Sequence, residues 1–487
     1  MPRPVALLIV FALLAASAGA AQKSAPSTND AAFAGAEAAI REEMTKAGIP
    51  GAAVAVVVGD TLVWSRGFGV ANVETNAPVT ADTLFQIGSV TKSFTAAALL
   101  TAASQGALAL DTPVSAYVSG LTACVGAPTL TQLLSHTGGL IDEPDEFGPQ
   151  GEEGLGAYQR TWTNEYCMLP PGRAFSYSNS GFALAGLALQ ERDKKPFADV
   201  MKARVLTPLG MTRSTFRPME AMTWPLAVGH RKNKEERLEV VRPLANDARL
   251  WPAGTLYSSA NEMARFVVAL MNDGKIDGRQ ALPEGLVAQM RHVHADSPAT
   301  NESYGQGLFL MRNGDAGHGG AMTGYAAQMT LGRGPAIGVV VLTNGDGVNP
   351  ERLRSLVRDT ALESTVVQQA FAEIRAKRVG PAPPPFVPGL PPPVEPRSLT
   401  PGETERYLGV YRNKGRFTVE VVQQGEALVL RRFGRDFPMR RVTNYDAFLV
   451  DLPSGGTETI AFGLGAGGRA DYLQMNVWAL ARVLDAK

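Results

Sequence analysis

At 487 residues the chain is long for one average domain and suits a large core with a smaller module beside it. Its 46 Lys and Arg balance 46 Asp and Glu, so the formal charge is zero. That balance offers no basic face for nucleic acid or an anionic membrane and points to small or neutral partners.

Residues 1–20, MPRPVALLIVFALLAASAGA, join one arginine to an apolar run from Val5 to Ala16 and end in Ala18-Gly19-Ala20. This small-x-small ending predicts a signal peptide cleaved after Ala20, and a periplasmic or secreted protein. The run is shorter than the roughly 20 residues of a membrane span, so no stable span is expected. In an exported protein the only two cysteines, Cys124 and Cys167, could form a disulfide; two separate buried thiols are equally compatible with the sequence.

Asp30 is placed to cap a helix running to about Lys46, which Gly48-Ile49-Pro50-Gly51 stops. Two strand-like runs follow, from Ala52 and from Thr61, joined through Gly59-Asp60 as a hairpin. A helix is predicted from Ser89 to about Gln105, with Ser89 as its cap and Gly106 closing it. From about 110 to 300 the pattern is short helices and loops, among them SSANEMARFVVALMNDG, which opens on a capping box at Ser259 and Glu262. Strand character returns from Tyr304, Tyr325 and Ala336, and one long amphipathic helix is predicted from Pro350 to about Arg378. Strands at both ends with helices between them give an α+β unit over residues 21–379, an antiparallel sheet flanked by helices with a helical insert.

Residues 380–397, GPAPPPFVPGLPPPVEPR, are proline-dense and predict a stiff spacer. Short alternating runs punctuated by glycine fill 398–487, the pattern of a small β-barrel or sandwich.

QIGSVTKSF holds the one Ser-x-x-Lys of the chain, Ser89 and Lys92. On a helix these positions are neighbours, about 5–6 Å apart at Cβ. A lysine held in a dry pocket loses proton affinity and can serve a neighbouring nucleophile, and free N–H groups at a helix start can hold an oxyanion. Tyr-x-Asn occurs at Tyr177-Ser178-Asn179, in a polar loop before a helix, and at Tyr411-Arg412-Asn413, in an alternating strand pattern where it reads as structural. His-x-Gly occurs at His136-Thr137-Gly138 and at His318-Gly319-Gly320, and the second lies where its backbone can edge a cleft.

The ordered set Ser-x-x-Lys, Tyr-x-Asn, His-x-Gly resembles the serine β-lactamase-related hydrolases, in the class C and DD-peptidase branch, over about residues 30–375. LLSHTGGL, LTPLGMTRSTF and PAGTLYSSANEMARF are similar to the same family. The resemblance implies the β-lactamase/DD-peptidase fold, with Ser89 as the acylated nucleophile, Lys92 assisting its deprotonation and Tyr177 passing the proton to the leaving group. It further implies Asn179, His318 and Gly320 as substrate-binding groups, with the N–H groups of Ser89 and Ala321 as oxyanion hole. The C-terminal module is similar to the lipocalin-like appendage of some relatives, and is expected to lean over the cleft. Histidine at 318 and glycine at 319 replace a fixed cation and a hydroxyl, which weakens the expected grip on penicillins and on C-terminal D-alanine and favours a peptidase, amidase or esterase with a different acyl or leaving group. The leading expectation is a peptidase or amidase on D-amino-acid-containing peptides; a carboxylesterase or weak β-lactamase, and a receptor with little turnover, are the alternatives.

Of the remaining histidines, His136 is expected to support a loop, His230 to lie at the surface, and His292 and His294 to end a helix. With no phosphate-binding glycine loop and no zinc spacing, neither cofactor nor metal is expected.

Overall fold

The computed structural model describes residues 30–483 except 143–145, 333–335, 378–398, 415, 442–445 and 454. The predicted signal peptide and the whole proline spacer lie outside the described residues. Within them, no helix is long and apolar enough to cross a membrane.

Helix α1 (Ala34–Ala47) ends where Gly48 turns left-handed at φ +68° and donates to Met44 and Thr45. Strands β1 (Gly51–Val58) and β2 (Thr61–Asn72) form the predicted hairpin, with Gly59 at φ +62°. With β3 (Ala77–Pro78), β4 (Ala295–Ser297), β5 (Glu302–Tyr304), β6 (Phe309–Leu310), β7 (Ala316–Met322), β8 (Tyr325–Leu331) and β9 (Ile337–Thr343) they form an antiparallel sheet in the order β4-β5-β6-β7-β8-β9-β1-β2-β3. The N-terminal strands and the last strand of this sheet thus meet at the β1–β9 pair, where Val54 lies opposite Val341.

Strand β1 reads GAAVAVVV and is buried throughout. Side chains alternate across a strand, so Ala53, Ala55 and Val57 enter the larger core while Ala52, Val54, Val56 and Val58 enter the smaller one. The larger core holds α2 (Thr91–Ser104), α3 (Asn179–Asp193) and α4 (Ala260–Met271); the smaller is covered by α1, α5 (Pro350–Glu363) and α6 (Thr365–Lys377). Helix α2 is buried from Thr91 to Ala102, and its run of alanines lets neighbours approach on every side.

Three local expectations are corrected. Ser89 does not cap α2: it sits in a 3-10 turn, Gly88–Val90, and no side chain caps the helix that follows. Ser259 caps α4 by accepting from Glu262 N at 3.2 Å, but Glu262 does not complete the box; its carboxylate takes Arg213 N and Ser214 Oγ instead. The helix predicted from Pro350 breaks at Ser364, which is extended at ψ 133°. His230 is also corrected, since it is fully buried, accepting from Val73 N and facing the Asn344 carbonyl.

Cys124 and Cys167 form a disulfide with Cα atoms 6.4 Å apart. Closing a loop 43 residues long stabilises the fold by roughly 4 kcal/mol in the chain-entropy view. The bridge ends beside Tyr166, whose carbonyl accepts from Ile141 N at 2.9 Å, so it braces the stretch that leads to Asp142.

The C-terminal strands β10 (Gly409–Asn413), β11 (Phe417–Gln424), β12 (Ala427–Arg432), β13 (Arg435–Arg441), β14 (Ala447–Asp451), β15 (Thr457–Leu464), β16 (Ala470–Met475) and β17 (Trp478–Arg482) close into a barrel. Its interior is filled by Tyr407, Tyr411, Phe448 and Phe462 among others. The second Tyr-x-Asn belongs to this packing: Tyr411 donates to the Tyr407 carbonyl and Asn413 to the Ala479 carbonyl. The barrel docks through a two-pronged Arg173–Asp471 pair, at 2.8 and 2.9 Å, and an apolar contact of Ala479 with Leu169 and Ala174.

Candidate active site

The 3-10 turn at Ser89 exists because of two glycines. Gly88 is at φ +52°, and a Cβ there would lie 2.5 Å from Ala321 N; a Cβ on Gly320 would lie 2.1 Å from the Ile87 carbonyl. Only backbone against backbone fits. Strand β7 pairs with β6 no further than Gly317, so the edge from His318 to Met322 faces the Ser89 turn instead of another strand. This brings the N–H groups of Ser89 and Ala321 to one rim of the cleft, which encloses about 480 Å³.

Lys92, in the first turn of α2, is fully buried. Its Nζ lies 2.9 Å from Ser89 Oγ, 2.6 Å from Asn179 Oδ1 and 2.7 Å from the Ala253 carbonyl. Burial draws its proton affinity down to about 7, partly offset by the Asp142 charge. An amide oxygen and a carbonyl can only accept, so two N–H bonds are committed to Asn179 and Ala253. The remaining position faces Ser89, where an ammonium donates and a neutral amine accepts.

Tyr177 shares a hydrogen bond with Ser89, and burial pushes its phenol far above the usual range. It therefore stays protonated at neutral pH. Its ring stacks at 4.2 Å on His136, whose Nδ1 accepts from Ser178 N at 3.0 Å. His136 thus backs the Tyr177 loop as expected and, buried, is kept neutral. Ser178 caps α3 through Gly181 N, and Asn179 begins that helix with its N–H donated to Asp142 at 2.7 Å. With Oδ1 taken by Lys92, the Asn179 amide NH₂ is what remains for the cleft.

His318 is also neutral. Its Nδ1 lies 2.6 Å from the Gly319 carbonyl and so carries the proton, and Nε2 accepts from Tyr304 Oη at 3.0 Å. Burial and the Lys92 charge hold it down to about 3. A Cβ at position 319 would lie 2.8 Å from Oε1 of Gln328, its cross-strand partner on β8, so a side chain there would displace that amide. Where a hydroxyl was expected to be missing, an amide stands.

The structure brings together Ser89, Lys92, Tyr177, Asn179, His318, Gly320 and Ala321; all but Lys92 line the cleft, and Lys92 lies behind Ser89. Sequence reasoning missed Asp142 and Glu146, which follow directly on the quoted LLSHTGGL, and Gln328, Arg416, Val477 and Trp478. Glu146 accepts from Thr323 N and Oγ1, both at 2.7 Å. The barrel leans over the cleft: Arg416 and the Val477–Trp478 turn form part of its wall. His292 and His294 have rings 5.0 Å apart, and the described residues contain no group of three potential ligands able to hold a metal.

A large antiparallel sheet with a helical insert, and a buried lysine against a serine at a backbone crossing, define a β-lactamase-type hydrolase scaffold. The beta-lactamase family model matches residues 36–362, and the chain belongs to the beta-lactamase family. It is 28% identical over 388 residues to penicillin-binding protein 4 of Amycolatopsis lactamdurans, spanning 75% of this chain and 94% of that one. Among solved structures, SurE with D-Leu superposes with TM-score 0.71 at 25% identity, covering 93% of this chain and all of SurE. A β-lactamase/D-alanine carboxypeptidase from Pseudomonas syringae shares the fold at TM-score 0.57 and 21% identity, over 69% of this chain and 99% of that one.

Proposed function

We propose that this chain is an exported serine hydrolase that forms an acyl-enzyme on Ser89 and cleaves amide bonds in small peptides or amides containing D-residues. The observation that carries it is the Lys92 amine, pinned by two obligate acceptors with its third valence on Ser89 Oγ. Near pH 7 a large fraction of Lys92 is neutral and can take the Ser89 proton as Oγ attacks the substrate carbonyl. The carbonyl oxygen becomes an oxyanion between the N–H groups of Ser89 and Ala321. Tyr177, bonded to Ser89 and itself protonated, gives its proton to the departing nitrogen and takes back the one that Lys92 received, and the C–N bond breaks. Water then retraces the path and frees the acid.

Charge in the cleft supports an amine-bearing substrate. A carboxylate would need a cation, yet His318 is neutral, and Arg416 is committed to Asp142. Glu146, by contrast, is an acceptor with no cationic partner among the described residues. The D-configuration is supported by the family resemblance and by SurE having been solved with D-Leu. Export is supported by the pattern of residues 1–20 and by the disulfide, a bond of oxidising compartments.

The test is a fluorophosphonate probe with intact-mass readout, followed by a panel of D-aminoacyl amides, short acyl esters and a cephalosporin. Labelling should vanish in Ser89→Ala, and the D-aminoacyl amides should be turned over fastest; silence toward the whole panel would sink the hydrolase reading. Glu146→Gln should raise KM about tenfold for a cationic D-aminoacyl amide, the scale of one charge-assisted hydrogen bond, and leave a neutral ester unchanged. An equal loss on both substrates would remove Glu146 from amine recognition.

A further inference from the structure

The stretch Phe175–Tyr177, which leads directly into Asn179, is held by the barrel. Tyr177 N donates to the Val477 carbonyl at 2.8 Å, Ala479 N donates to Ser176 Oγ at 3.1 Å, and Gln474 Nε2 donates to the Phe175 carbonyl at 3.3 Å. One residue joins this contact to the reacting groups. Asp142 has no exposed surface; one oxygen accepts from Asn179 N at 2.7 Å, and the other takes Arg416 Nη2 and Trp478 Nε1, the latter at 3.3 Å. Arg416 in turn lies over the Trp478 ring at 4.5 Å. A carboxylate this buried needs a cation and several donors, and within the described residues its cation comes from the barrel.

We propose that the barrel is a working part of the catalytic centre, in which Arg416, acting through Asp142, is a positioning residue that holds Asn179 and Lys92 against Ser89. The path is continuous: Arg416 to Asp142, Asp142 to the Asn179 backbone, the Asn179 side chain to Lys92, and Lys92 to Ser89. The inference rests on the reading of Lys92 as the group that accepts the serine proton.

The same path carries charge. The titratable or charged groups that face Lys92 are Asp142, Tyr177, His136 and His318, with Arg416 behind Asp142. Both histidines are neutral and Tyr177 is protonated, so the Asp142–Arg416 pair is the adjustable element. Removing Arg416 leaves an unbalanced anion that favours the Lys92 ammonium; removing the Asp142 charge leaves an unbalanced cation that disfavours it.

The experiment measures Ser89 labelling rate by a fluorophosphonate against pH in the full-length chain, with melting temperature beside it. Wild type should show a rate that rises with pH to a plateau, with midpoint near 7. Arg416→Met should move the midpoint up by at least about half a pH unit, and Asp142→Asn should move it down, as expected for charges a few ångströms apart. The double variant should return toward wild type, and Arg416→Lys, which keeps the charge, should leave the midpoint near the wild-type value. A purely structural role would lower the plateau in both single variants without moving the midpoint, and that result overturns the inference. If wild type is labelled with no midpoint near 7, the reading of Lys92 fails and the coupling with it; if wild type shows the midpoint and the variants do not move it, the coupling alone fails.

Discussion

Replacing Lys92 with methionine should lower the acylation rate of Ser89 at pH 7 by about 10²–10⁴-fold, the usual weight of a positioned general base. Methionine keeps the unbranched stem and fills the same buried tunnel beside Phe182 and Tyr177, so the loss reports chemistry more than shape. The pH profile gives an independent readout. The neutral amine is the active form, so the wild-type rate climbs as pH rises through about 7, and in Lys92→Met that climb should disappear. Stability carries the opposite face of the same shift. Burial lowers the folded-state value from the ordinary 10.5 to about 7, so between those pH values the unfolded chain binds the extra proton. Wild type should therefore gain stability relative to Lys92→Met as pH rises from 7 toward 10, measured by urea unfolding at several pH values. A rate that keeps its rise near pH 7 without Lys92 would assign the proton transfer elsewhere.

Tyr177→Phe should lower amide turnover by roughly 10²-fold or more, while costing only about 0.5–1.5 kcal/mol, the net worth of one hydrogen bond. The ring's packing on His136 survives the substitution, and so does the backbone bond to Val477, since neither uses the hydroxyl. What disappears is the proton relay from Ser89 to the leaving nitrogen. An activated ester, whose leaving group departs as a stable anion, should be affected far less than an amide. Equal losses on ester and amide, or a fall in melting temperature that matches the loss of activity, would make Tyr177 a packing residue.

Much of this site is legible in the sequence because its parts are local. Ser89 and Lys92 lie three residues apart at one helix start, and Tyr177 and Asn179 flank one cap; Gly320 is forced by the backbone crossing at Ser89. The central strand follows from the unbroken apolar run GAAVAVVV, which suits a strand covered on both faces. Other features answer to tertiary partners and leave no local sign. Glu262 abandons the box because Ser214 lies in reach, and His230 is buried because Val73 and Asn344 offer it both a donor and an acceptor. The role of Asp142 is set by Arg416, 274 residues away, and nothing near either residue announces the pair. Gln328 matters only because strand register sets it opposite Gly319.

The docking of the β16–β17 turn also sets the order in which this molecule comes to life. A ribosome adds roughly 5–20 residues per second and releases the N-terminal part first. Ser89, Lys92 and Tyr177 are made first, yet the carbonyl of Val477, 300 residues after Tyr177, and the indole of Trp478 are made much later. Until they arrive, the Tyr177 N–H lacks its acceptor and Asp142 lacks one of its donors. The candidate centre is therefore completed only once the β16–β17 turn has been made, and a chain cut short before that turn would hold the whole Ser-x-x-Lys and Tyr-x-Asn set in an uncompleted state.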